Sequence, residues 1–260
     1  MSDEPDIQVV QELNRGLSYA EACFETFRVI DGAVFAWDYH WQRLQTGLFS
    51  LGLSLNPSLQ HNIFQSCLDT AKKQADDCLV RLTVAGGEAA WGLNQTSTPQ
   101  IFIQCMPHQK TNAELHLSCY DYPFPLMDKP AKFTADYAYT LRAMQHWQVE
   151  NQTPVLLCKS DVIVGGLTAN IALFDGNRWL TPQGKGVLCG TVRQFLIDKD
   201  LLSPQTCTVA ALKDIQAAVL LNAGSFVQPI HSINHMALDT QHPAINTLKE
   251  ALAAEQGVRL

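Results

Sequence analysis

A lysine, an arginine and two turns of small residues carry the chemistry in this chain. Lys132 stands in Ala131-Lys132-Phe133-Thr134-Ala135-Asp136-Tyr137, directly after a proline-rich stretch. To join an aldehyde, a lysine must be able to lose its proton, which partial burial promotes, and the aldehyde must be anchored nearby. Anchors for a phosphate are present. Gly186-Val187-Leu188-Cys189-Gly190-Thr191-Val192-Arg193 sets a glycine turn ahead of a helical pattern, so free main-chain N–H groups and the positive end of the helix dipole face outward. Arg43, in His40-Trp41-Gln42-Arg43-Leu44, can clamp phosphate with two parallel charge-assisted hydrogen bonds. Asn222-Ala223-Gly224-Ser225 is a turn small enough for its N–H groups to approach an anion. Taken singly, each has a plain reading as a solvated lysine, a helix cap, a surface arginine or an ordinary turn. Their value lies in occurring together and in order.

Rigid elements must hold these groups. Residues 22–36 carry aromatic and β-branched residues on both sides of Asp31-Gly32, which predicts a hairpin. Apolar residues recur at helical spacing over 39–51, and Pro57 opens a second amphipathic stretch with Leu59, Ile63, Phe64, Cys67 and Leu68 on one face. Residues 79–85 and 100–106 read as strands. Together these predict an N-terminal α+β domain over 1–112. Pro123, Pro125 and Pro130 exclude a regular helix, so 113–131 is expected to be an extended linker. The second domain, 132–260, reads as a helix over 137–147, strands near 155–157, 171–174 and 178–180, a helix over 192–198, strands near 219–221 and 226–230, and a closing helix over 244–254. The fold class is α+β, with Lys132 near the domain boundary, where pockets tend to form.

The whole-chain numbers narrow the function. With 260 residues, 47% of them hydrophobic, the chain can bury a large core. A net charge of -7 and 18 scattered Lys and Arg residues argue against a nucleic-acid surface. The first six residues, Met1-Ser2-Asp3-Glu4-Pro5-Asp6, lack a signal peptide's basic start, and there is no apolar run of the length (about 18 residues) that spans a membrane. The expectation is a cytoplasmic protein with no membrane partner. Eight cysteines include no CxxC pair, so they are read as reduced packing residues and no metal site is expected.

In chain order, His40 to Leu44, Lys132 with Tyr137 five residues on, Gly190-Thr191-Val192-Arg193 and Asn222-Ala223 resemble the class IV (fold type IV) pyridoxal-phosphate enzymes, and within that family the aminodeoxychorismate lyases. The resemblance implies a two-domain, D-amino acid aminotransferase-like fold, with a small N-terminal α+β domain and a larger C-terminal domain of mixed, barrel-like sheet with helices. It also implies a homodimer and a pyridoxal 5'-phosphate cofactor. Lys132 would be the catalytic lysine and Tyr137 would hydrogen-bond the cofactor's phenolic oxygen. Arg43, Gly190, Thr191, Val192, Asn222 and Ala223 would hold its phosphate. The implied reaction releases pyruvate from 4-amino-4-deoxychorismate and leaves 4-aminobenzoate for folate synthesis. Alternatives are an aminotransferase for D-amino or branched-chain amino acids, and a non-catalytic relative that binds a ligand or partner. Two departures bear on the choice. Gly165, five residues before Asn170, stands where the family usually has a glutamate that pairs with the pyridine nitrogen and strengthens the electron sink. Residues 84–93 lack the loop arginines of the lyases, although Arg81 is kept.

Overall fold

The computed structural model describes residues 9–109, 113–150 and 154–255, and the acidic start read at residues 1–6 lies outside them. The first half runs β1 (Glu12–Asn14), α1 (Arg15–Tyr19), β2 (Ala22–Ile30), β3 (Ala33–Val34), α2 (Trp37–Ser50), α3 (Leu59–Lys72), β4 (Asp77–Ala85), β5 (Glu88–Ala90) and β6 (Gln100–Pro107). The hairpin forms where the sequence predicts it, with Asp31 and Gly32 at φ 49° and 77°, the double positive φ that a tight turn between twisted strands requires. A four-stranded sheet follows, ordered β3-β2-β4-β6.

Strand alternation decides what this sheet buries. Cys23, Phe27 and Val29 of β2 and Cys78, Val80, Leu82 and Val84 of β4 pack under α2 and α3 against Leu44, Leu48, Ile63 and Cys67. Glu25 shares that buried face of β2 and is 1% exposed. A carboxylate there must be paired. Phe24, Thr26 and Arg28 alternate onto the opposite face, and Thr26 lies opposite Arg81 of β4.

The second half continues with β7 (His116–Asp121), α4 (Asp136–Glu150), β8 (Val155–Lys159), β9 (Val162–Gly166), β10 (Asn170–Phe174), β11 (Trp179–Pro182), α5 (Thr191–Asp198), β12 (Ser203–Gln205), β13 (Ala217–Asn222), β14 (Phe226–Pro229), β15 (Ser232–Ile233), β16 (Met236–Ala237) and α6 (Pro243–Ala254). Two five-stranded sheets, β12-β11-β10-β13-β14 and β16-β15-β7-β8-β9, enclose Leu117, Leu156, Ile163, Ile171, Leu173 and Ile230. On the outer side of β10 and β13, α5 and α6 contribute Val192, Phe195, Leu196, Leu248 and Leu252, joined by Phe35 and Ala36 of the first half. The two halves therefore share a core.

The region read as a plain linker holds a strand, because β7 pairs in parallel with both β8 and β15. The extended strap begins after it and is tied at both ends. Met127 O accepts from Gly186 N at 2.8 Å and Lys129 O from Cys189 N at 3.3 Å, while Lys132 O accepts from Phe24 N at 3.0 Å and Thr134 N donates to Ala22 O at 3.0 Å. Lys132 is thus fixed where the strap crosses from one half to the other.

Candidate active site

Lys132 Nζ lies 5.1 Å from the centre of the Phe24 ring. Burial lowers its pKa to about 8, helped by the charges of Arg43 and Arg81 and opposed by Glu25. Arg81 covers the same ring, its guanidinium carbon 3.6 Å from the centroid. Tyr137 meets Phe24 edge-on at 5.3 Å, and burial raises its phenol pKa against the lowering pull of Arg81.

Arg43 reaches the site from α2 through a buried network. Its Nε donates to Glu25 Oε1 at 2.8 Å, its Nη2 to Glu25 Oε2 at 2.6 Å, and its Nη1 to Cys189 O at 2.8 Å. His40 Nδ1 is 2.6 Å from Glu25 Oε2, and His40 Nε2 is 3.3 Å from Thr191 Oγ1. Burial alone would raise the Glu25 carboxyl, but the charge and hydrogen bonds of Arg43, with those of His40, outweigh it and hold the pKa at about 2.

Helix α5 starts at Gly190 with no side chain capping it, which leaves its first main-chain N–H groups for another partner. The Val192 side chain is buried in the core, so its main chain is what it can offer the cleft. Arg193 is turned away, donating to Thr181 Oγ1 and Pro182 O at 3.2 and 2.9 Å, and thereby docks α5 on β11. Gly190 is required by close approach, since a Cβ there would collide with the Asn170 side-chain oxygen. The Asn170 amide itself donates to Leu188 O at 3.0 Å. Across the cleft, Asn222 Oδ1 accepts from Gly224 N and Ser225 N at 2.9 and 2.7 Å, folding the turn that carries Ala223.

Of the residues expected from sequence, Lys132, Arg43, Gly190, Thr191, Val192, Asn222 and Ala223 line one small cavity, together with Thr26 and Asn170. Tyr137 lines an adjoining cavity that also touches Lys132. Sequence reasoning missed Glu25 and His40 as partners of Arg43. The available signal was a carboxylate in an otherwise apolar strand, which needs a cation nearby.

Gly165 lies in the second cavity, at φ +150°, where a Cβ would sit 3.1 Å from Ala169 O. The β8–β9 register shifts beside it. The backbone is shaped for glycine, so the departure is more than a missing side chain. At 84–93 Arg15 supplies arginine hydrogen bonds. It donates to Gly92 O at 3.0 Å and to Leu93 O at 3.5 Å, and pairs with Glu21 at 2.6 Å. Trp91 is 93% exposed.

A lysine of lowered basicity, an arginine and an uncapped helix start line one cavity where the two halves of the chain meet, an arrangement able to anchor a phosphorylated aldehyde. Residues 22–233 match the class IV aminotransferases, and the chain belongs to that family, whose members are pyridoxal-phosphate-dependent enzymes. Aminodeoxychorismate lyase of Bacillus subtilis (strain 168) is 24% identical over 201 residues, covering 73% of this chain and 68% of that protein. Among solved structures, the 4-amino-4-deoxychorismate lyase of Pseudomonas aeruginosa superposes with a TM-score of 0.78 at 18% identity, covering 97% of this chain and 96% of its own. A hypothetical aminotransferase of Mycobacterium tuberculosis in its PLP-bound form gives 0.79 at 19% identity, covering 98% and 95%. The fold is that of the two-domain fold type IV enzymes, and pyridoxal phosphate is the family's cofactor. The donor set suits it, with cationic and main-chain donors for the phosphate beside a deprotonatable amine for the aldehyde. Among the described residues, no helix is long and apolar enough to cross a membrane.

Proposed function

We propose that the protein is a 4-amino-4-deoxychorismate lyase, releasing pyruvate and leaving 4-aminobenzoate. The observation that carries this reading is the backbone at Gly165, which is shaped for glycine and places no carboxylate at that position. A reaction driven by aromatisation of its product tolerates a weak electron sink better than reversible transamination does. The identity with the B. subtilis lyase supports the same choice. When bound, the cofactor supplies an electrophilic carbon and an electron-withdrawing ring.

The protein's own residues do the rest. With the cofactor bound, Arg43, the Thr191 and Val192 main-chain N–H groups and the turn at Asn222–Ala223 would hold the phosphate, and Lys132 the aldehyde carbon. The Lys132 amine, its pKa lowered to about 8, would take and return the substrate proton near neutral pH. Tyr137 is assigned to the phenolic oxygen, and the strap and Phe24 exclude water from one side.

Incubating the cofactor-loaded protein with 4-amino-4-deoxychorismate should yield 4-aminobenzoate and pyruvate in equal amounts. Absence of both products, with amino acids converted to keto acids instead, would overturn the assignment. An aminotransferase acting on D-amino or branched-chain acids is the second reading. It is favoured by Tyr137 lining a cavity with Lys132, a spacing like that of the branched-chain members. Bound pyridoxamine 5'-phosphate formed from an amino acid without a keto-acid acceptor would select it. Phe102 and Met106, exposed on the outer face of β6, support a homodimer, testable by sedimentation. The free cysteines support a cytoplasmic setting.

A further inference from the structure

Glu25, His40 and Thr191 form a buried polar chain that touches no reacting atom in the mechanism above. His40 is 0% exposed and Thr191 4%. The protons in this chain can be placed by elimination. An ionised carboxylate only accepts hydrogen bonds, so His40 Nδ1, 2.6 Å from Glu25 Oε2, must carry its hydrogen. Burial keeps the ring neutral, which leaves a lone pair on Nε2. The group facing that lone pair is the Thr191 hydroxyl at 3.3 Å, and it must donate. Its proton is therefore turned away from the cleft, although Thr191 is the first residue of α5. Glu25 also occupies the Arg43 Nε and one N–H of Nη2, and Cys189 O takes one N–H of Nη1. Among the described residues, two of the five guanidinium N–H donors remain without a partner.

We propose that His40 is the positioning residue of the phosphate cradle. Locked as the Nδ1–H tautomer by Glu25, it draws in the Thr191 hydroxyl and leaves the anion to main-chain N–H groups and the two spare Arg43 donors. The proposal rests on the reading of Arg43 and α5 as the phosphate anchor. It assigns the Thr191 side chain to orientation of the helix start, with no contact to phosphate.

The test is a double-mutant cycle with His40→Asn and Thr191→Val, reading dissociation constants for pyridoxal 5'-phosphate and for phosphate-free pyridoxal by absorbance. Asn keeps a donor near Glu25 and loses the reach to Thr191. Each single change should weaken pyridoxal 5'-phosphate by about tenfold and leave pyridoxal within about twofold. The double variant should be no weaker than the worse single one, because both changes break the same link. Thr191→Val leaves the Glu25–Arg43 pair untouched, so it carries the test should His40→Asn fail to fold. Equal weakening of both ligands, no weakening of either, or additive effects would overturn the proposal. Wild-type protein that binds neither ligand would overturn the cofactor reading and this proposal with it. Wild-type binding with unaffected variants would overturn this proposal alone.

Discussion

The two walls of the cleft are built on opposite plans. At the anion wall, Arg43 is held by three hydrogen bonds within a buried network that ends on α5, and Gly190 is pinned by the Asn170 side chain. At the facing wall, the strap, the bulged end of β9 and Gly165 enclose a cavity with a glycine-shaped backbone and no carboxylate at that position. On the proposed function, a phosphate handle demands fixed donors, which the first wall supplies, and the fate of the substrate is set at the other wall, where Gly165 stands in place of the glutamate that the resemblance implies.

The comparison can be broken in four ways, of decreasing size. Glu25→Gln should be the most damaging, because it leaves the buried Arg43 charge without its partner. A cost of about 3–5 kcal/mol is expected in denaturant unfolding, and an unchanged midpoint would show that the anion wall does not depend on its network. Gly165→Glu comes next. With φ at +150°, a side chain there should cost about 1–3 kcal/mol, measured the same way. A neutral outcome would mean that the facing wall accepts the family's carboxylate after all, and would weaken the case for a lyase.

The third is a pH dependence. The Lys132 pKa is depressed to about 8 in the folded protein, below its ordinary value of about 10.4 when unfolded. Between these values the unfolded chain binds more protons. The Lys132 contribution to apo-protein stability should therefore rise with pH across that window, having been unfavourable below it. The rate of cofactor attachment should rise through about pH 8 and then level off. A rate still climbing at pH 10 would place the lysine in water. Smallest of all, Asn222→Ala removes the acceptor of two turn hydrogen bonds at a half-exposed site, and should weaken cofactor binding by the equivalent of about 1 kcal/mol.

Much of this was legible beforehand because it rested on local signals. Asp31-Gly32 announces its turn, the helices α2 and α3 their periodicity, and the glycine before Thr191 its helix start. What stayed hidden was non-local. Strand β7 looks polar and short, and becomes a strand only by pairing with β8 and β15. Gly165 reads as a lost glutamate until the register shift beside it reveals a backbone that disfavours any side chain. His40 stands in the same short motif as Arg43 and Glu25 in the strand-like run over 22–36, but their partnership with Arg43 needs the sheet face and the helix to be placed together.

The central claim is that Lys132 is the residue that holds the cofactor. Its most direct test is the absorbance spectrum of the purified protein with pyridoxal 5'-phosphate, beside that of Lys132→Ala. A long-wavelength band is expected in the wild-type protein, removed by borohydride reduction with the label fixed on Lys132, and no such band in the variant. Identical spectra for the two proteins would contradict it.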